Sequence, residues 1–89
     1  MRKPLAAPNV LLQEQEGEAF LLHVASGRYF GLNRTGLTIW QAIVDEKDPL
    51  QALAERWPAV PDDVRRRDVD TLLTSLRDAG LVRDADAGP

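Results

Sequence analysis

The sequence predicts an α+β domain in which a three-stranded antiparallel meander is followed by three helices. Strand-like runs at 10–14, 19–24 and 28–32 are separated only by short polar turns. Connections that short join antiparallel neighbours. Beyond Leu32 the apolar spacing changes from two to the three-and-four of helices, with start signals at Asn33, Asp48-Pro49 and Asp62-Asp63.

Residues 1–9 carry Pro4 and Pro8 and are expected to form an extended arm. Val10–Glu14 is the first strand, and Gln15-Glu16-Gly17-Glu18 is a polar turn in which Gly17 can take positive φ. Ala19–Val24 is the second strand, Ala25-Ser26-Gly27 the next turn, and Arg28–Leu32 the third strand. Alternation puts Phe20, Leu22 and Val24 on one side of the second strand, as it does Phe30 and Leu32 on the third. Tyr29 and Gly31 take the third strand's other face.

Asn33 is a fitting N-cap for the first helix, with Thr35 as its competitor. Ile39, Trp40, Ile43 and Val44 are that helix's apolar stripe. Asp48 at N-cap, Pro49 at N1 and Gln51 at the third position of a capping box open the second helix. Leu50, Leu53, Ala54 and Trp57 continue it at helical spacing, and Pro58 stops it. Asp62 and Asp63 complement the dipole at the start of the third helix, whose Val69, Leu72, Leu73 and Leu76 follow an i, i+3, i+4, i+7 pattern. Gly80 fits C′ of a Schellman ending, with Leu81 packing back on Leu76. The folded domain is therefore expected over 10–82, with 83–89 a flexible tail.

Composition narrows the function classes. An 89-residue chain is a single small domain that buries roughly 60–65% of its unfolded surface, so its stability is marginal. There is no cysteine, which removes disulfides, thiolate metal sites and a cysteine nucleophile, and which fits a reducing cytoplasm. No run approaches the roughly 18 apolar residues of a membrane helix, and the N-terminal apolar stretch is too short for a signal peptide. A net charge of −3 argues against a nucleic-acid-binding protein.

No constellation supports catalysis. His23 is the single histidine, without a second histidine or a cysteine to complete a metal site or a nucleophilic pair. Arg65-Arg66-Arg67 is interleaved with Asp62, Asp63, Asp68 and Asp70, so a solvated helix face is the plain reading. Trp40 and Trp57 sit on apolar stripes and read as core. The glycines form neither GxGxxG nor a Walker pattern. No catalytic residue, metal or cofactor is expected.

Arg28-Tyr29-Phe30-Gly31-Leu32 differs from the rest. As the last strand of a meander it has one open edge, a row of unpaired N–H and C=O groups available to an extended peptide. A glycine within a strand often marks close approach by another backbone. An edge strand beside an amphipathic helix makes a groove where a peptide adds a strand and inserts alternate side chains. The plain alternative is an ordinary core strand.

Leu21–Asn33, LLH-(x)3-GR-(x)3-LN, followed by TG-(x)2-IW at Thr35–Trp40, resembles the PqqD-like family. ALAERWP at Ala52–Pro58 and DV-(x)2-LL-(x)2-L-(x)3-GLV at Asp68–Val82 extend the likeness over about residues 8–82. The resemblance implies a winged helix-turn-helix fold and the role of a RiPP recognition element, a module that binds the N-terminal leader of a ribosomally made precursor peptide. It implies that the leader adds as an antiparallel strand beside Arg28, Tyr29, Phe30, Gly31 and Leu32. Val69, Leu73, Leu76 and Arg77 would form the opposing wall, with Arg66 and Asp70 at its rim.

Within the family, Gly36-Leu37-Thr38-Ile39-Trp40 and the glycine-free turn Asp45-Glu46-Lys47-Asp48 look more like the stand-alone proteins of lasso-peptide clusters than the founding PqqD proteins of pyrroloquinoline quinone (PQQ) biosynthesis. The implied partners are a precursor leader peptide, a separate leader-removing cysteine protease and an ATP-dependent cyclase, with neither nucleic acid nor membrane involved. A PQQ-type peptide chaperone is the alternative. A winged-helix DNA-binding regulator is the rival class, and the alternating Arg and Asp of 62–70 speak against it.

Overall fold

The computed structural model describes residues 4–16 and 18–84. The order is β1 (Pro4–Ala6), β2 (Val10–Gln15), β3 (Glu18–His23), β4 (Arg28–Leu32), α1 (Arg34–Val44), α2 (Pro49–Arg56), α3 (Asp62–Asp78) and β5 (Val82–Asp84). β2, β3 and β4 form the antiparallel meander with β3 in the middle, as the turn spacing predicts. No helix among the described residues is long and apolar enough to cross a membrane.

Alternation identifies which side chains share a face but not which face is buried, and here the register decides. Ala19 pairs with Leu32 and Leu21 with Phe30, and Ala19, Leu21 and Leu32 are buried. Phe20 instead lies opposite Gly31 and Leu22 opposite Tyr29, on the outer face. The second strand's inward side is thus Ala19 and Leu21, not Phe20, Leu22 and Val24. Val24 lies beyond the strand's end and is exposed. In the β2–β3 turn Glu16 takes the left-handed conformation at φ 52; Gly17, the residue expected to do so, lies outside the described residues.

The helices begin and end where local chemistry directs. The Asn33 side chain accepts from the Gly36 N–H at 2.8 Å, so Asn33 rather than Thr35 caps α1. At the far end of α1, Glu46 occupies φ 58 while the Glu46 and Lys47 N–H groups bond the Ile43 and Ala42 carbonyls. That is a Schellman ending with a non-glycine residue in its left-handed position. Asp48 accepts from the Leu50 N–H at 2.9 Å, one residue short of the capping-box partner Gln51. Gly80, at φ 76, closes α3: its N–H bonds the Arg77 carbonyl at 3.0 Å and the Leu81 N–H bonds Leu76 at 2.9 Å. Replacing Asn33 with Ala is expected to cost about 1 kcal/mol through the lost cap. In a domain of this size that is a drop of roughly 4–8 °C in Tm, read by circular dichroism.

Two features escape the sequence pattern. The N-terminal arm is not free: β1 pairs antiparallel with β5, matching Pro4 to Asp84 and Ala6 to Val82, and the Ala7 N–H bonds the Leu81 carbonyl at 2.9 Å. Arg83 and Asp84, expected to begin the flexible tail, belong to this pair; the rest of that tail, 85–89, lies outside the described residues. Arg65, expected on a solvated face, is folded inward. Its guanidinium donates to the Trp57 carbonyl at 3.2 Å, to the Val60 carbonyl and to the Asp62 carboxylate, tying the α2–α3 connection to the start of α3. The core draws on every layer, joining Leu21 and Leu32 to Ile39, Trp40 and Ile43 of α1, Leu53 of α2, and Val69, Leu73 and Leu76 of α3.

Candidate functional site

The meander has two edges, β2 and β4, and neither pairs with another strand among the described residues. Along β4 the inward side chains Phe30 and Leu32 anchor the strand to the core while Arg28, Tyr29 and Gly31 are exposed. Tyr29 stands 63% exposed. Such a strand is fixed from beneath and open along its side, the condition for accepting another strand with little rearrangement.

On α3 the expected wall residues separate into two sets. Arg66, Asp70, Leu73 and Arg77 recur at i, i+4, i+7 and i+11, one continuous stripe along the helix. Arg66, Asp70 and Arg77 are exposed, whereas Leu73, 9% exposed, belongs to the core. The flank facing α2 is a different one: Arg65 and Asp68 line a small recess there with Trp57 and Val60. Val69 and Leu76 point into the core, and Leu76 is completely buried. Leu76 therefore supports the helix from below and offers no surface to a ligand, because the interior is the face of α3 that carries its apolar period.

The stripe alternates in sign, with Arg66 and Arg77 on either side of Asp70. This suits pairing with individual side chains of a peptide better than the uniform charge of a phosphate backbone. His23 is hydrogen-bonded through Nδ1 to the Ser26 hydroxyl at 2.8 Å in the exposed β3–β4 hairpin. No cluster of three or more His, Cys, Asp or Glu that could hold a metal occurs among the described residues. Phe20 is the neighbour of the edge that periodicity alone overlooks. Its ring lies on the outer face beside Gly31, a placement that only the β3–β4 register reveals.

A three-stranded meander with three helices is the winged helix-turn-helix form of α+β domain. The chain belongs to the PqqD family: the family model for PqqD, coenzyme PQQ synthesis protein D, matches residues 18–82. Two solved structures share the fold. One, described as TbiB1 in complex with the TbiA(beta) leader peptide, is 26% identical with a TM-score of 0.79, covering 89% of this chain and 94% of that one. The other, a lasso peptide synthetase B1 complexed with the leader peptide, is also 26% identical, with a TM-score of 0.78 over 91% of this chain and 98% of that one. No curated protein matches the sequence.

Proposed function

We propose that this chain is a non-catalytic recognition protein. It binds the leader segment of a ribosomally synthesised precursor peptide by β-strand addition to β4 and presents it to processing enzymes. The observation that carries the reading is the open edge Arg28–Leu32, core-anchored beneath and free alongside, in a chain that shares its fold with two proteins solved holding leader peptides. Backbone hydrogen bonds along β4 supply sequence-independent hold at about 0.5–1.5 kcal/mol net each. Side chains of the leader that meet half-buried Phe30, and charges that meet Arg66, Asp70 and Arg77, supply selectivity, with Leu32 and Leu73 supporting that surface from the core. Val69 and Leu76 hold that wall in place from the core.

Ordering a flexible leader costs about 2–5 kcal/mol, so a dissociation constant between sub-micromolar and about 10 μM is the balance expected. A cysteine protease that removes the leader and an ATP-dependent cyclase are the enzymes this carrier serves, in the cytoplasm. Docking the loaded carrier on the protease raises the local concentration of its substrate.

The family description favours one second reading, a PQQ-type peptide chaperone, which uses the same edge for a different peptide. Fluorescence anisotropy with labelled synthetic peptides separates the two. Saturable binding of a lasso-type leader at 0.15 M salt, with a Kd below about 10 μM, is expected, and a scrambled peptide is expected not to bind. Tighter binding of a PQQ precursor peptide moves the chain to the other branch. Strong, steeply salt-dependent binding of duplex DNA overturns both.

A further inference from the structure

We propose that Phe20 and Gly31 form a side-chain subsite on the outer face of the sheet, which takes one bulky apolar side chain, aromatic or long aliphatic, from the strand that adds to β4. The inference rests on the strand-addition reading above and specifies one residue position of the incoming strand that the domain selects.

Gly31 is a glycine that the free domain does not need. Gly80 has a left-handed backbone, and a Cβ on Gly36 would lie 3.1 Å from Leu32 Cδ2. Neither reason applies at Gly31. Its φ lies outside the left-handed region, and a Cβ there would meet only the Phe20 ring, at 3.8 and 3.9 Å, which is ordinary contact. Glycine within a strand weakens it relative to alanine, so the isolated fold would gain from a side chain here. A side chain at 31 would, however, fill the outer-face space beside the Phe20 ring.

That space lies where an added strand would need it. Residues directly opposite one another in an antiparallel ladder project to the same face. The residue of the incoming strand opposite Gly31 thus projects outward beside Phe20, with no side chain between them. β3 and the added strand stand two strand spacings apart, about 9.5 Å, so a small residue leaves a gap that a long or aromatic one closes against the ring. Tyr29, paired with Leu22, limits the slot along the strand, and Glu18, Asn33 and Arg34 rim its open end.

The test is selection of a displayed random 15-residue peptide library on three proteins: wild type, Gly31→Leu and Phe20→Ala, each shown to fold by its melting curve. Peptides selected on the wild type are expected to share one bulky apolar position that turns to Gly, Ala or Ser on Gly31→Leu and loses its preference on Phe20→Ala. A wild-type-selected peptide should bind Gly31→Leu at least about tenfold more weakly and recover when its bulky residue is cut to Ala. If Gly31→Leu does not fold, Gly31→Ala carries the same comparison with a smaller shift. The same preference on every folded variant overturns the subsite while leaving strand addition standing. A wild type that selects no peptide overturns strand addition and the subsite with it.

Discussion

Leu76→Asp is expected to leave no cooperative melting transition at all. Leu76 is wholly enclosed among the core side chains of α3, and its neighbour in the C-terminal turn, Leu81, is 2% exposed. Truncation to Ala at such a site costs about 2–5 kcal/mol in transfer and cavity terms together. A carboxylate there adds the expense of burying a charge without a partner, since no polar side chain among the described residues is buried in this core. Against a total stability of roughly 5–15 kcal/mol, expected at the low end for a domain this short, the sum exceeds what the fold can absorb. Circular dichroism and a urea titration measure it, with Leu76→Ala as the milder companion. A Leu76→Asp protein that melts at the wild-type temperature would mean the side chain is at the surface, and the arrangement of α3 described above would be wrong.

Tyr29→Pro is expected to weaken leader binding by about fivefold to a hundredfold. Proline removes a strand N–H and adds a ring against the neighbouring chain, a loss of roughly 1–3 kcal/mol where the partner carbonyl stays unpaired. Alternate residues of an edge strand turn their N–H groups outward. If that of Tyr29 is among them, the melting temperature barely changes and the loss falls on binding alone. If it is bonded to β3, the ladder between β3 and β4 suffers and both quantities fall. Gln13→Pro on β2, the other open edge, is the control, and where it folds it should bind within about threefold of wild type. Calorimetric titration with a wild-type-selected peptide reads both. A Tyr29→Pro protein with wild-type stability and wild-type affinity would remove β4 from the site.

Much of this architecture is legible in the sequence because local chemistry and tertiary structure agree there. Arg28–Leu32 is a strand with the expected ends; Asp48 opens α2 through its side-chain carboxylate, which accepts from the Leu50 N–H, and Gly80-Leu81 closes α3 through backbone bonds. The missing parts depend on long-range information. β1 and β5 are three residues each, too short for any periodicity, and become strands only because residues 4–6 and 82–84 meet beside α1 and α3. Arg65 looks like its neighbours Arg66 and Arg67 until the α2–α3 connection brings three acceptors around it. The edge at β4 follows from strand order alone. The proposed α3 wall does not, because the apolar run that marks Val69, Leu73 and Leu76 is the signature of their burial, while the exposed Arg66, Asp70 and Arg77 carry no apolar period.

The claim on which the account depends is that the ligand strand adds to β4 and not to β2. Amide hydrogen exchange resolved by residue, with and without a saturating selected peptide, measures it directly. Alternate amides within Arg28–Leu32 are expected to slow by at least about tenfold on binding while those of Val10–Gln15 keep their free-state rates. Protection appearing along Val10–Gln15, with Arg28–Leu32 unchanged, would contradict it.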